Sequence, residues 1–253
     1  MIDHADLMTK AARLRKHLGE DSTSPVDIFA LALSIENLTI VYYPMGDNMS
    51  GMCIKGQEKN NVIAINSAMT LGRQRFSLAH EFYHLFYDKT MISVCAKKID
   101  SGKDIERSAD MFASYFLMPD AALQEKAEKY VEKRDDKQLE LNDVIRIEQY
   151  FGVSHQAAVF RLMHTPYLNN ERGSNYLNTP VRRQAESLGY SSDLYRPAPE
   201  EKRYMTYGKY IDQAEQVLSK ELVSYGKYEE LLLDAFRSDL VYGDEREDGD
   251  VID

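Results

Sequence analysis

The stretch His80-Glu81-Phe82-Tyr83-His84 constrains this chain more than any other. On an α-helix, residues i and i+4 share one face, a turn apart, so both imidazoles can reach a single ion. Glu81 lies about 100° round the helix from His80, beside such an ion without being a ligand. That arrangement holds Zn²⁺ and sets a base next to an activating water. Short patterns with three fixed positions also arise by chance, and an amphipathic helix with half-exposed histidines is the plain alternative. The local sequence favours a true helix. Phe76, Ala79, Phe82, Tyr83 and Phe86 fall at spacings of three and four, and no Gly or Pro interrupts Arg73 to Lys89.

A second stretch, Asp104 to Pro119, bears on the first. Asp104 is placed to cap a helix and Pro119 to stop it. Ile105, Ala109, Phe112 and Phe116 form one stripe; Glu106, Asp110, Ala113 and Leu117 form its neighbour. Buried carboxylates are costly unless paired or bound to metal. Taken alone, a solvated face explains the two acids equally well. Taken with the histidines, Glu106 completes a His₂Glu set that leaves a fourth position for water, an open catalytic zinc arrangement. Asp110, one turn on, can accept the second ring N–H of a zinc histidine and fix its tautomer.

These two blocks resemble the ImmA/IrrE family of zinc metallopeptidases. The first is Arg75-Phe76-Ser77-Leu78-Ala79-His80-Glu81-x-x-His84. The second is Glu106-x-x-Ala109-Asp110-x-Phe112-Ala113-x-x-x-Leu117-Met118-Pro119. The lead-in ending at Asn66 is similar too, and the likeness covers roughly residues 5 to 165. It implies His80, His84 and Glu106 as Zn²⁺ ligands and Glu81 as general base, with Asp110 where the family carries Asn or Asp. It also implies a gene-control protease that cuts a cognate repressor, often linked to phage, mobile elements or stress. Phe82-Tyr83 departs from the family's more usual Leu or Ile followed by Gly. The ligands are untouched by that change; the shape of the cleft is not.

Composition narrows the rest. A chain of 253 residues, 43% apolar and 28% charged, is globular and large enough for a sizeable core. Cys53 and Cys95 lack C-x-x-C spacing, so a cysteine-based zinc site is not expected, and two cysteines suit a reducing compartment. Met1 to His17 has no apolar h-region, and the longest apolar run, Ile28 to Leu33, is far too short for a bilayer. The expectation is a cytoplasmic protein without a membrane partner. A net charge of −10 argues against tight non-specific nucleic-acid binding.

The element pattern predicts an α+β fold. A zincin-like metallopeptidase domain, with a small mainly antiparallel sheet and the H-E-x-x-H helix, precedes an all-helical C-terminal part. The domain spans 1–132. It contains helices over Asp6 to Leu18, with Gly19 as C′ residue, and from Ser24-Pro25 to Ile35, with Ser24 as N-cap. Its strands are Leu38 to Tyr43, Ser50 to Lys55 and Asn61 to Asn66, the last two as a hairpin around Gly56 to Asn60. The third strand either finishes the sheet or lies at the cleft rim, where it could pair with a substrate backbone. Asp88 to Gly102 reads as loop.

Residues 133–168 form a helix-turn-helix-like appendage, Gly152 ending one helix and Ser154 capping the next. His155, Gln156 and Arg161 are its polar candidates for reading DNA. Residues 169–243 read as a linker with one short helix near Val181 to Leu188. Helices over Glu200 to Lys220 and Gly226 to Tyr242 then make a hairpin with Leu231, Leu232, Ala235 and Phe236 inward. Residues 244–253 form an acidic tail.

The reading is a zinc-dependent endopeptidase acting on a protein partner, a helix-turn-helix repressor or antitoxin-like regulator. Glu81 takes a proton from the attacking water and delivers it to the leaving amine. An oxyanion donor is expected among Tyr43, Tyr83, Tyr87 and Tyr115. The rivals are a zinc-bound regulator that binds a repressor without cutting it, and a DNA-binding regulator using residues 140 to 165.

Overall fold

The computed structural model describes residues 2–46, 48–57, 60–96 and 104–243. The acidic tail expected at 244–253 lies outside them. The described residues contain five strands, β1 Leu38–Tyr43, β2 Met49–Lys55, β3 Asn61–Asn66, β4 Ile92–Ala96 and β5 Met205–Gly208. They form one sheet in the order β4-β2-β3-β1-β5. β2 and β3 are the expected hairpin, in register Gly51↔Ile65 to Lys55↔Asn61. β1 runs parallel to β3, whereas β4 on β2 and β5 on β1 are antiparallel, so the sheet is mainly antiparallel.

Among the described residues, seven helices precede residue 164: α1 His4–His17, α2 Ile28–Ser34, α3 Leu71–Phe86, α4 Asp104–Leu117, α5 Asp120–Val131, α6 Leu141–Phe151 and α7 His155–Met163. Five more follow: α8 Asn170–Leu177, α9 Arg182–Ser187, α10 Lys209–Ser219, α11 Tyr225–Asp234 and α12 Ser238–Tyr242. None of the described helices is long and apolar enough to cross a membrane.

The centre of the molecule is α3. It is buried nearly all round, not along one stripe: Leu78, Ala79 and Phe82 meet the core while His80, Glu81 and His84 are buried too. Phe82 sets its ring edge-on to Phe116 of α4 at 5.8 Å, and Tyr83 packs on Phe112 at 5.6 Å. These aromatic contacts fix α4 beside α3, as the shared face of Phe112 and Phe116 requires. One apolar core runs from Leu7 through the sheet and α3 to Leu162 and Leu168. Ala214, Tyr228 and Leu232 make a separate small cluster.

Polar side chains hold the approach to α3. Asn66 donates from Nδ2 to the Met49 carbonyl at 2.7 Å and accepts at Oδ1 from Met45 and Ala68 N–H groups, both at 3.1 Å. It thereby ties the β1–β2 connection to the turn into α3. Arg75 donates to the carbonyls of Gly152 and Val26 at 2.7 and 2.5 Å. Gly152 sits in the left-handed region at φ +66, and a Cβ there would meet Arg75 Nε at 2.9 Å. Glycine is therefore needed both for the helix end and for the clamp.

Several elements depart from expectation. α2 begins at Ile28, capped by Asp27, whose side chain accepts from Phe29 and Ala30 N–H groups. Ser24 is not its cap, because the Ser24 N–H and hydroxyl are taken up by Asp21. β4 forms inside the predicted loop Asp88–Gly102, and β5 inside the predicted helix Glu200–Lys220. α8 forms within the predicted linker. Gly208 closes β5 at φ +85, where a Cβ would meet the Leu38 carbonyl at 2.4 Å.

Arg15 joins α1 to the end of α4. Its buried guanidinium donates to the carbonyls of Asp21, Phe116 and Ser24 at 2.8, 2.7 and 2.6 Å. Replacing it by Met leaves three buried or half-buried carbonyls without that donor. Arg15→Met is expected to destabilise the chain by roughly 3 kcal/mol or more. The measurement is urea unfolding; an unchanged midpoint would contradict this account.

Candidate metal centre

α3 carries His80 and His84 one turn apart, and their Nε2 atoms approach to 3.1 Å. Each ring is held from behind. His80 Nδ1 is 2.8 Å from Asp110 Oδ1, and His84 Nδ1 is 2.9 Å from Asp88 Oδ2. A carboxylate accepts, so Nδ1 carries the proton and Nε2 keeps its lone pair. Glu106, in the first turn of α4, brings Oε2 to 3.4 Å from His80 Nε2 and Oε1 to 3.6 Å from His84 Nε2. Cys95, from β4, is the fourth member. One ligand atom from each of the four residues lies within 4.8 Å of all the others.

The donor set fits a metal ion. Tetrahedral zinc with nitrogen or oxygen at about 2.0–2.2 Å and sulfur at about 2.3 Å sets its ligand atoms roughly 3.3–3.7 Å apart. The separations around Nε2, 3.1 to 3.6 Å, lie close to that. Two nitrogen lone pairs aimed at one another at 3.1 Å also need positive charge between them. Burial opposes charge on His80, but Asp110, Cys95 and Glu106 together raise its pKa well above the usual value. Burial and that neighbouring charge push His84 down. The contact with His80 holds Glu106 below the usual carboxylate range. Burial works against the Asp88 carboxylate, yet Thr90 and His84 hold it at about 2.

Glu81 differs from its neighbours. It is 0% exposed, and neither carboxylate oxygen has a hydrogen-bond partner among the described residues apart from the neighbouring Cys95 thiol. Burial raises its pKa to about 7. A buried carboxyl with so few partners is expensive and calls for a ligand or a solvent molecule. Its space is provided by Gly51 on β2, where a Cβ would meet Glu81 Oε1 and the Ala64 carbonyl, each at 2.9 Å.

The structure thus brings His80, Glu81, His84, Glu106 and Asp110 together. Asp88 and Cys95 join them without having been expected. Cys95 escaped the spacing argument because that test sought two cysteines on one turn, whereas the sulfur arrives from an adjacent strand. Its signal was the β-type run Ile92-Ser93-Val94-Cys95, which ends shortly before Glu106. The candidate oxyanion donors are dispersed. Tyr87 Oη donates to the Lys10 carbonyl at 2.9 Å, and Tyr115 Oη lies 3.0 Å from His4 Nδ1. Tyr83 is buried against Phe112 and Tyr87, and Tyr43 packs on Tyr204 and Phe236.

β3 cannot pair with a substrate, since β1 and β2 occupy both its edges. Among the described residues, the sheet edge near the cluster belongs to β4. Two of the three residues considered for DNA reading are engaged internally. His155 meets Glu148 at 2.6 Å and the Tyr176 carbonyl at 2.9 Å. Arg161 meets Asp120 at 2.6 Å and stacks 4.6 Å over Tyr115.

Asp88→Asn and Asp110→Asn are each expected to weaken metal binding by about 10–100-fold, since an amide no longer enforces the Nδ1–H tautomer. Competition with a chromophoric chelator measures this, and wild-type affinity in both variants would refute it.

No curated protein matches this sequence. The family described as IrrE N-terminal-like domain, a peptidase family, matches residues 26–163. That is over half of the chain, and the chain belongs to this family.

Proposed function

We propose that this member of the IrrE N-terminal-like peptidase family is a zinc-dependent endopeptidase that cuts a regulatory protein partner. The observation that carries the proposal is Glu81: a buried carboxylate, without a hydrogen-bond partner among the described residues apart from the neighbouring Cys95 thiol, beside a converging His80, His84 and Glu106 set. A metal site that served only to hold structure would not need it. His80, His84 and Glu106 would hold the zinc, which supplies Lewis acidity to a carbonyl and lowers the pKa of water. Glu81 accepts the proton of the attacking water and returns it to the leaving amine. Positive charge at the ligand cluster lowers the Glu81 pKa and favours the carboxylate that can take that proton.

The outer edge of β4 suits an extended substrate backbone. Ile92 and Val94 are 63% and 55% exposed there, and strand addition supplies main-chain hydrogen bonds with side-chain selection at alternate positions. The partner class, a helix-turn-helix repressor or antitoxin-like regulator, follows from the family resemblance. The internal ties of His155 and Arg161, and a net charge of −10, favour this over DNA reading.

The test is to mix the zinc-loaded protein with repressors encoded beside its gene and examine the products by mass spectrometry. Fragments from one defined cut are expected. A stable complex with an intact partner would favour the non-cleaving regulator instead.

A further inference from the structure

We propose that Cys95 is a fourth protein donor to the metal, and that its sulfur closes the centre into a latent form. The inference rests on the metallopeptidase reading above and adds a regulatory state to it. Catalytic zinc sites keep three protein ligands and an open position, whereas structural sites are closed by four. Here four protein groups converge, and the fourth is a thiol, a soft donor suited to zinc.

The local structure aims Cys95 at the cluster. Ile92 and Val94 face solvent, whereas Cys95 is 1% exposed. β4 pairs with β2 opposite Gly51, the residue that makes room for Glu81, and the ladder shifts register at that point, between Met49 and Gly51. Bulges of this kind redirect a side chain and recur next to active sites. The thiol consequently stands beside His80, Glu81 and Glu106 at once. A second sign is Glu81, whose oxygens are both buried and, the neighbouring Cys95 thiol aside, without a hydrogen-bond partner among the described residues.

Closing the centre forms a metal–sulfur bond and breaks the S–H bond, with the proton leaving to solvent. Opening it reverses the change: water takes the position, and the sulfur regains a proton. No electron is transferred. Among the described residues β4 is an edge strand paired with β2 alone, so a substrate strand added to its other side acts on the element that carries the sulfur.

Cobalt substitution tests this without a substrate. The Co²⁺ protein should show an intense near-ultraviolet sulfur-to-cobalt charge-transfer band. Cys95→Ser and Cys95→Ala should lose it, and Cys53→Ser, outside the cluster, should keep it. Acetohydroxamate, a small metal chelator, should bind the Co²⁺ form of Cys95→Ala at least about tenfold more tightly than the wild type, because the fourth position is then free. Cobalt bound by the wild type without the band overturns this inference alone. A band that survives in Cys95→Ser, or equal acetohydroxamate affinity, does so as well. Failure of the wild type to bind cobalt overturns this inference and the metallopeptidase reading together. The wild-type spectrum decides even if the variants fold poorly.

Discussion

Glu81→Gln is expected to lower peptide hydrolysis by about 10²–10⁴-fold while the metal stays bound. The amide has nearly the shape of the carboxyl and cannot accept the water's proton. It enters a space already cleared by Gly51. Because neither oxygen of Glu81 has a hydrogen-bond partner among the described residues apart from the neighbouring Cys95 thiol, the exchange breaks no other such contact there. The loss therefore falls on kcat and not on folding or metal content. Elemental analysis of the purified variant measures the metal, and mass spectrometry of the partner measures the cut. Hydrolysis at the wild-type rate by Glu81→Gln would end the general-base assignment.

His80→Ala and Glu106→Ala should lose both metal and hydrolysis. The difference from Glu81→Gln is thermodynamic and can be seen without a substrate. A ligand that binds only the folded chain, present at 100 to 1,000 times its Kd, stabilises by about 2.7–4.1 kcal/mol. For a chain of this size each kcal/mol moves Tm by about 2–4 °C. Zinc should raise the wild-type Tm by roughly 5–16 °C, a chelator should reverse the rise, and Glu81→Gln should respond like wild type. His80→Ala and Glu106→Ala should respond weakly or not at all. A full zinc shift in His80→Ala would remove that residue from the ligand set.

The two helices of the site could be read from the chain because their information is local. His80 and His84 repeat at one turn, and Glu106 and Asp110 lie on one face of a helix bounded by Asp104 and Pro119. What could not be read depends on partners remote in sequence. β4 is five residues long, and only its pairing with β2 distinguishes it from a loop. β5 is four residues between charged segments, and a helical reading of Glu200 to Lys220 absorbed it. The start of α2 was misplaced because Asp21 captures Ser24, a competition between neighbouring caps that sequence spacing does not rank. Cys95 combines both difficulties: its strand is short, and its chemistry appears only once that strand pairs with β2 and sets the sulfur near His80 and His84.

The pairing of β5 on β1 has a consequence for how the protein is made. Tyr210 N–H donates to Thr39 Oγ1 at 3.0 Å across 171 residues of chain. At translation rates of about 5–20 residues per second, the outer edge of β1 waits roughly ten to thirty seconds for its cover. Leu38-Thr39-Ile40-Val41-Tyr42-Tyr43 is an apolar, β-branched edge, the type that recruits other chains when left open. The nascent protein thus carries a sticky strand through most of its synthesis. A fragment cut where the family likeness ends, at residue 163, would carry that strand permanently. Within the described residues, it is β5 in the C-terminal segment that covers that edge of β1.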